Sequence, residues 1–272
     1  RYIVEQAVGG WLNDRKQELG LGDLPEISEE EFALHAIDLA KYTKKVTQEF
    51  KTQRQKVALK IKRHISFWKS YEAVLKNITV LDPACGSGAF LNEVFDYLTK
   101  EGKQVNEQLL QLTLNQHNVF RWDTHILANN IYGVDINHES VEITKLSLWL
   151  KTASRNEKLT YLDDNIKCGN SLIDDPAVDA AYAFRWEKKF PSIMKAGGFD
   201  VVVGNPPYGA ALSKAQFDYL ERKINLSSYQ GETYIYFIFQ SHRLIKSDGY
   251  CGLIVPNTWM TNIFGQAIRH YI

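Results

Sequence analysis

The spacing of hydrophobic and polar residues changes character near position 77 of this 272-residue chain. Before that point, apolar residues recur at helical spacing, as in residues 29–40, where Ser28 is placed to cap a helix and Glu31 to complete a capping box. After it, short β-branched runs alternate with helical stretches, which predicts strands joined by helices. We therefore expect an N-terminal helical region over residues 1–76 and an α/β domain over residues 77–272.

The second part of the chain carries apolar runs with the pattern of buried strands. The predicted strands are residues 78–81, 131–134, 201–203 and 252–255, with helices expected near 89–100, 139–152 and 233–245. The polar, Gln/Asn-rich residues 101–118 are expected to form an extra helix of their own. This alternation predicts an α/β, Rossmann-like, doubly wound and mostly parallel sheet with an N-terminal helical region.

Charge and cysteine content narrow the function classes only a little. Lys plus Arg and Asp plus Glu both number 32, so no overall field predicts a polyanion partner. Residues 41–69 contain ten basic residues and one acidic residue, which indicates either a solvated helical face or a nucleic-acid contact.

The cysteines Cys85, Cys168 and Cys251 lack metal-ligand spacing, which predicts no metal site, no disulfide framework and a reducing cytoplasm. No apolar run approaches the length of a membrane span, so no membrane partner is expected.

A glycine-containing loop follows the first predicted strand, in the segment Asp-Pro-Ala-Cys-Gly-Ser-Gly-Ala-Phe at 82–90. Gly86 and Gly88 allow the backbone to turn tightly and to approach a ligand, and the helix N-terminus after the loop offers N–H donors. The segment has neither the Lys-Ser/Thr of a phosphate-binding loop nor G-x-G-x-x-G spacing. Nucleoside triphosphate and dinucleotide ligands are therefore disfavoured.

Two polar residues follow later apolar runs. Asp135 ends the second predicted strand, and a carboxylate at that edge can accept hydrogen bonds from both hydroxyls of a ribose. The alternative is that Asp135 only caps the next helix. Asn170 comes after another short apolar stretch, and its amide, which can both donate and accept, suits the edge of a purine.

The segment Asn-Pro-Pro-Tyr at 205–208 comes directly after the strand that contains Val201–Val203. The side-chain oxygen of Asn205 and the backbone carbonyl of Pro206 are rigidly directed acceptors for an exocyclic amino group, whose lone pair they would localise for attack. Tyr208 can stack on the base that bears this group. A proline-rich turn without chemistry is the alternative, and the other motifs make it less favoured.

Five segments, DPACGSGAF, GVDIN, GNSLI, VVVGNPPY and GYCGLIVPNTW, occur in this order along the chain. Together they resemble the successive motifs of S-adenosylmethionine-dependent N6-adenine DNA methyltransferases of the gamma arrangement. The resemblance is greatest to the methylase portions of type IIG restriction–modification enzymes, with type I modification subunits as cousins, and covers about residues 78–262. It implies S-adenosyl-L-methionine as cofactor and double-stranded DNA with a flipped adenine as substrate.

The resemblance also implies a role for individual residues. The methionine part of the cofactor would lie against the glycine loop, at Asp82, Ala84, Cys85, Gly86 and Gly88. The ribose would bind to Asp135. The adenine would contact the apolar side chain of Ile136 and the amide of Asn170. In the family the position matching Asn170 is often Asp. The catalytic motif that holds the flipped adenine matches Asn205, Pro206, Pro207 and Tyr208.

The chain departs from the family pattern in two ways. The Tyr-Thr-Pro segment that often precedes the glycine loop has no counterpart nearer than Lys-Tyr-Thr-Lys at 41–44. The chain also stops before the later catalytic motifs and any target-recognition domain, so we expect a fragment whose partner is the rest of the native polypeptide or a specificity subunit.

Other activities stay open at this point. Protein glutamine N-methyltransferases share Asn-Pro-Pro-Tyr but usually have a different glycine loop, and a non-catalytic DNA-binding subunit of a defence complex is a further alternative. N4-cytosine methylation is disfavoured because its tetrapeptide usually begins with Ser. Scattered Glu-x-Lys matches are too common to indicate a nuclease.

Overall fold

The computed structural model describes residues 1–37, 47–152, 161–224 and 232–261, so the segment 41–44 lies outside the described residues. The chain forms two compact units. The first contains Arg1–Trp11, Asn77–Thr99 and Asp123–Ile272, and the second contains Leu12–Lys76 and Lys100–Trp122. The expected division between residues 76 and 77 coincides with one of these segment boundaries and stays a prediction.

The first unit is built on a five-stranded sheet in which every pair of neighbouring strands is parallel, which confirms the predicted α/β class. The strands are β1 Val80–Asp82, β2 Ile131–Asp135, β3 Ile166–Cys168, β4 Phe199–Gly204 and β5 Ile245–Leu253. Their order across the sheet is β3-β2-β1-β4-β5. The chain thus adds β2 and β3 on one side of β1 and then β4 and β5 on the other side. Ligand crevices form outside the carboxyl ends of the strands at such a reversal.

Helices supply the rest of the described secondary structure. They are α1 Tyr2–Glu18, α2 Glu29–Ala36, α3 Gln48–Asn77, α4 Ala89–Leu112, α5 Trp122–Asn129, α6 His138–Thr152, α7 Trp186–Lys189, α8 Pro191–Lys195, α9 Lys214–Ile224, α10 Thr233–Leu244 and α11 Thr258–Thr261, with a 3₁₀ turn at Leu21–Asp23. The predicted capping box of α2 is confirmed: Ser28 Oγ accepts from Glu31 N at 3.2 Å, and Ser28 N donates to the Glu31 carboxylate at 3.1 Å.

Two predicted elements were wrong in their bounds. Residues 101–118 do not form a separate helix, because α4 continues to Leu112 with Leu91, Leu98, Val105 and Leu109 all buried along one helical stripe. The strand expected at 252–255 runs instead from Ile245 to Leu253. The polar residues at 246–249 interrupt its apolar pattern, and its ladder with β4 shifts between the pairs Phe199–Ile245 and Val201–Tyr250.

Apolar packing on the sheet gives the strand ends a rigid support. Leu81, Val134 and Val202, from three adjacent strands, pack in one cluster with the rings of Phe184, Trp186, Phe190 and Phe199. The rings meet mostly edge to face, as between Trp186 and Phe199 at 6.2 Å and 85°. Burial of each such side chain is worth roughly 1.5–3 kcal/mol. The strands that carry the predicted site residues are therefore firmly held.

The second unit contains the described part of the basic run. Arg54 donates to the Ile37 carbonyl at 3.0 Å, Lys60 pairs with Glu31 at 2.6 Å, and Arg63 donates to the Asp23 carbonyl at 2.9 Å. These three cationic side chains therefore make their described contacts within the unit. Residues 41–46 of the run lie outside the described residues.

Candidate functional site

A cavity of about 440 Å³ opens in the first unit beside the ends of β1, β2 and β4. It is lined by Pro83, Ala84, Asp135, Ile136, Gly169, Asn170, Ser171, Leu172, Asn205, Pro207, Ala210, Ala211, Leu212, Gln216, Thr233 and Phe237. Four residues predicted to bind a cofactor and two from the predicted catalytic motif therefore share one space. The cavity connects the start of the glycine loop with the Asn-Pro-Pro-Tyr segment.

The glycine loop is tied to the end of β2 by Asp135. One carboxylate oxygen of Asp135 accepts from Gly86 N at 2.8 Å, and the other accepts from Asn137 N at 2.9 Å. Each oxygen keeps a further lone pair, and the half-buried carboxylate lines the cavity. Asp135 therefore holds the loop in place and still has acceptor capacity for a ligand.

Different structural constraints act on the two loop glycines. Both have positive φ, +51° at Gly86 and +83° at Gly88. A Cβ at Gly86 would meet nothing within 4 Å, whereas a Cβ at Gly88 would lie 2.8 Å from Thr144 Cγ2 on α6. Gly88 is therefore required both by its dihedral angle and by the close approach of α6.

Replacing Gly88 with alanine is accordingly expected to destabilise the protein more than replacing Gly86. Gly86→Ala should cost about 1–2 kcal/mol from the left-handed backbone alone. Gly88→Ala adds the clash with Thr144, which raises the expected loss by a further 1–3 kcal/mol or so. Urea unfolding of the two variants checks this, and equal losses would contradict the proposed packing against α6.

Asp82 is a buried carboxyl group at the end of β1, with 1% of its surface exposed. Ala84 N donates to Asp82 Oδ1 at 3.0 Å, and a Cβ on Gly204 of β4 would lie 2.9 Å from the same oxygen. Burial, reinforced by the nearby charge of Asp135, raises the pKa of Asp82 to about 7. Asp82 therefore changes its charge near neutral pH although it does not line the cavity.

This raised pKa predicts a pH-dependent gain in stability for Asp82→Asn. An unfolded Asp releases its proton near pH 4, whereas folded Asp82 keeps it to about pH 7, so the wild type loses stability across that interval. Three pH units at about 1.4 kcal/mol each give a difference of up to about 4 kcal/mol. The variant should match the wild type near pH 4 and be more stable at pH 8 in urea unfolding. A difference that is the same at both values would contradict this.

Cys85, Gly86 and Gly88 do not line the cavity either. Burial raises the pKa of Cys85 well above its ordinary value, and a Cβ on Gly133 would lie 3.1 Å from its sulfur. The thiol is thus neutral and packed into the interior. Any contact of Cys85 with a ligand would have to come from its backbone.

Asn170 and Ile136 also line the cavity. Asn170 Nδ2 donates to Asp179 at 2.9 Å, while its Oδ1 accepts from Leu172 N at 3.1 Å. The Ile136 side chain is 48% exposed at the end of β2. The pair offers an amide and an apolar surface to anything that enters.

The Asn-Pro-Pro-Tyr segment has a hydrogen bond of its own. The Tyr208 hydroxyl donates to Asn205 Oδ1 at 2.6 Å and lies 3.3 Å from the Ile254 carbonyl oxygen. The Tyr208 ring meets that of Tyr234 edge to face at 6.3 Å and is 42% exposed. Pro206 is buried and Asn205 is exposed. The side-chain oxygen of Asn205 is therefore held in a definite direction, with Pro206 and Tyr208 outside the cavity lining.

Sequence reasoning missed the lining residues that follow the Asn-Pro-Pro-Tyr segment. Leu212, Gln216, Thr233 and Phe237 line the cavity from α9, α10 and the segment before α9. The spacing of Ser213 and Gln216, which form a capping box, could have indicated the start of α9. The other lining residues of this part left no such signal. Ser171 lies within the GNSLI segment, and its hydroxyl donates to the Pro83 carbonyl at 2.5 Å.

The described residues offer neither a metal site nor a membrane span. Among them, no group of three or more His, Cys, Asp or Glu side chains is placed to hold a metal ion. No helix in the described ranges is both long and apolar enough to cross a membrane.

Comparison with known proteins adds a family assignment. The family described as Eco57I restriction-modification methylase matches residues 129–272. The chain is 30% identical over 221 residues to the type II restriction enzyme and methyltransferase RM.Eco57I of Escherichia coli, covering 72% of this chain and 21% of that protein. It is 27% identical over 204 residues to the type II methyltransferase M.BstVI of Geobacillus stearothermophilus, covering 73% of this chain and 32% of that protein. The chain thus spans at most about a third of the length of these relatives.

Among solved structures, the chain is similar to the ATP-dependent type ISP restriction-modification enzyme LlaBIII bound to DNA. The identity is 16% and the TM-score 0.49, with 71% of this chain and 13% of that chain covered. A likeness of this degree assigns no activity to the chain.

Proposed function

The chain belongs to the Eco57I restriction-modification methylase family, and from this premise we propose that it transfers a methyl group from S-adenosyl-L-methionine to N6 of an adenine flipped out of duplex DNA. One observation carries the proposal. The cavity beside β1, β2 and β4 is lined both by Asp135, Ile136 and Asn170 and by Asn205 and Pro207. A nucleoside cofactor and a target base could therefore meet there.

The residues of the cavity fit the proposed cofactor. A volume of about 440 Å³ lies within the range of small-molecule sites, roughly 300–1,000 Å³. Asp135 supplies acceptors for ribose hydroxyls, Ile136 an apolar face for the adenine, and Asn170 an amide for its edge. The loop 82–88 would hold the methionine part. When bound, S-adenosyl-L-methionine supplies a methyl group on a positively charged sulfur.

The chain's own residues are proposed to act on the nucleophile. The Asn205 side-chain oxygen and the Pro206 carbonyl accept hydrogen bonds from the adenine amino group and so localise its lone pair. The Tyr208 hydroxyl already occupies one lone pair of Asn205 Oδ1, which leaves the second for the substrate. Orientation of the amino nitrogen for in-line attack supplies much of the acceleration, and no general base is needed before attack.

The organisation of the protein follows from the same proposal. Residues 77–272 would form the catalytic domain and residues 1–76 an accessory helical region. Recognition of a DNA sequence would come from other parts of the native polypeptide or from a specificity subunit. The cytoplasm, expected from the cysteine pattern, stays the predicted location.

The proposal is tested by asking which macromolecule receives the methyl group. The full-length protein is incubated with methyl-labelled S-adenosyl-L-methionine and mixed-sequence duplex DNA, and a duplex of only G and C serves as the control. We expect label in the mixed-sequence DNA and none in the control. Label found instead on glutamine residues of added protein would reject the DNA substrate.

A further inference from the structure

Asp179 is a buried carboxylate next to the cavity, although it does not line it. Its Oδ1 accepts from Tyr182 N at 3.0 Å, and its Oδ2 accepts from Asn170 Nδ2 at 2.9 Å and more distantly from Gln216 Nε2 at 3.4 Å. Within the described residues its partners are thus neutral N–H groups and not a cationic side chain. Burial of a carboxylate without a cationic partner costs free energy, which the hydrogen bonds from Tyr182 and Asn170 offset in part.

An ionised carboxylate accepts hydrogen bonds and cannot donate them, so it dictates the orientation of any amide beside it. Asn170 must turn its NH₂ group toward Asp179. Its oxygen then points the other way, where Leu172 N donates to it at 3.1 Å. One N–H and one lone pair of the Asn170 amide are left over. Because Asn170 lines the cavity, these two groups define which pattern of hydrogen-bond donors and acceptors a base must present to bind there.

Adenine and hypoxanthine present opposite patterns of hydrogen-bond donors and acceptors. Adenine has an amino donor beside a ring-nitrogen acceptor, whereas hypoxanthine has a carbonyl acceptor beside an N–H donor. An Asn170 amide of fixed orientation matches only one of them. We infer that Asp179 is a positioning residue that holds the Asn170 amide in the orientation that selects adenine over hypoxanthine in the cofactor. This inference rests on the proposed function.

A single substitution should remove the orientation. In Asp179→Asn, the new amide keeps the Tyr182 bond only if its oxygen faces Tyr182. Its NH₂ group then faces the NH₂ group of Asn170, and two donors cannot pair. Asn170 must flip, which breaks the bond from Leu172 N, or move away. Either response weakens the preference for adenine.

A double substitution should keep the local hydrogen bonds and still lose the preference. In Asn170→Asp combined with Asp179→Asn, the carboxylate at position 170 accepts from the new amide at 179 and from Leu172 N. Its remaining lone pairs can accept from the amino group of adenine or from the ring N–H of hypoxanthine, but no N–H is left to donate to either base. This exchange of amide and carboxylate keeps the hydrogen bond between positions 170 and 179 and loses only the long contact to Gln216.

The test is a comparison of two ligands, S-adenosyl-L-homocysteine and S-inosyl-L-homocysteine, by calorimetry on the full-length protein. We expect the wild type to prefer the adenosyl ligand and Asp179→Asn to lower the ratio of affinities at least tenfold. The folded double variant should show the same loss of preference, because its carboxylate at position 170 cannot donate. Asp175→Asn is the matched control, because Asp175 lies on the same segment but accepts from Ala177 N, and the described residues show no hydrogen bond between its side chain and Asn170.

The outcomes separate this inference from the proposed function. An unchanged ratio in folded Asp179→Asn would overturn the role of Asp179 while leaving the methyltransferase proposal intact. A wild type that binds neither ligand would overturn both. If thermal melts show that Asp179→Asn does not fold, the double variant decides. Loss of the preference in the folded double variant supports the inference, and a wild-type ratio there, or a double variant that also fails to fold, overturns it.

Discussion

Asn205→Ala is expected to lower the rate of methyl transfer to duplex DNA by about 10²–10³-fold, the effect typical of removing one preorganised polar group from a reacting centre. Asn205 Oδ1 is one of the two acceptors proposed for the adenine amino group, and alanine leaves only the Pro206 carbonyl. Affinity for S-adenosyl-L-homocysteine should change by less than about twofold, since Asn205 holds none of the described contacts to the loop or to Asp135.

The measurement combines calorimetry with a single-turnover assay on the full-length protein. Tyr208→Phe is the informative companion, because it keeps the ring for stacking but removes the 2.6 Å hydrogen bond to Asn205. Its loss of rate should be smaller than that of Asn205→Ala. Undiminished methylation by Asn205→Ala would reject the proposed role of its side-chain oxygen.

Asp135→Ala should have the largest effect on cofactor affinity, a loss of about 100-fold or more. Hydrogen bonds to charged groups are worth roughly 1.5–3 kcal/mol each, and the ribose is proposed to make two of them with this carboxylate. The substitution also removes the acceptor for Gly86 N and Asn137 N, so the glycine loop loses its attachment to β2.

Asp164→Ala is a control of equal charge change, because the Asp164 side chain is 85% exposed and lies 4.0 Å from Lys167. It does not line the cavity. Calorimetry with S-adenosyl-L-homocysteine should give wild-type affinity for Asp164→Ala. Wild-type affinity in Asp135→Ala as well would remove the ribose assignment.

The convergence of the predicted residues could be anticipated from the sequence for a topological reason. Asp82, Asp135 and Asn205 each come at or directly after the end of an apolar strand. Carboxyl ends of parallel strands meet at one edge of the sheet, so residues far apart in sequence become neighbours. The alternation of strands and helices therefore predicted both the fold class and the edge at which the cavity lies.

Other features depend on tertiary packing and left no local signal. The part of the cavity wall formed by Leu212, Thr233 and Phe237 comes from α10 and the segment before α9, where the apolar residues look like ordinary core residues. Asp179 lies in an acidic, turn-like stretch, and only its distance from Asn170 shows that it contacts the site. The hydrogen bond of Tyr208 to Asn205 likewise arises from the fold of the tetrapeptide against the Ile254 carbonyl.

We propose that Asn205 and the residues around Asp135 hold a base and a methyl donor in one cavity. The decisive measurement is a structure of the full-length protein with duplex DNA and sinefungin, an analogue that cannot transfer a methyl group. We predict a flipped adenine whose N6 lies about 2.7–3.2 Å from Asn205 Oδ1, with the analogue against Asp135. An adenine left in the duplex, or a base bound elsewhere with Asn205 making no contact to it, would contradict the claim.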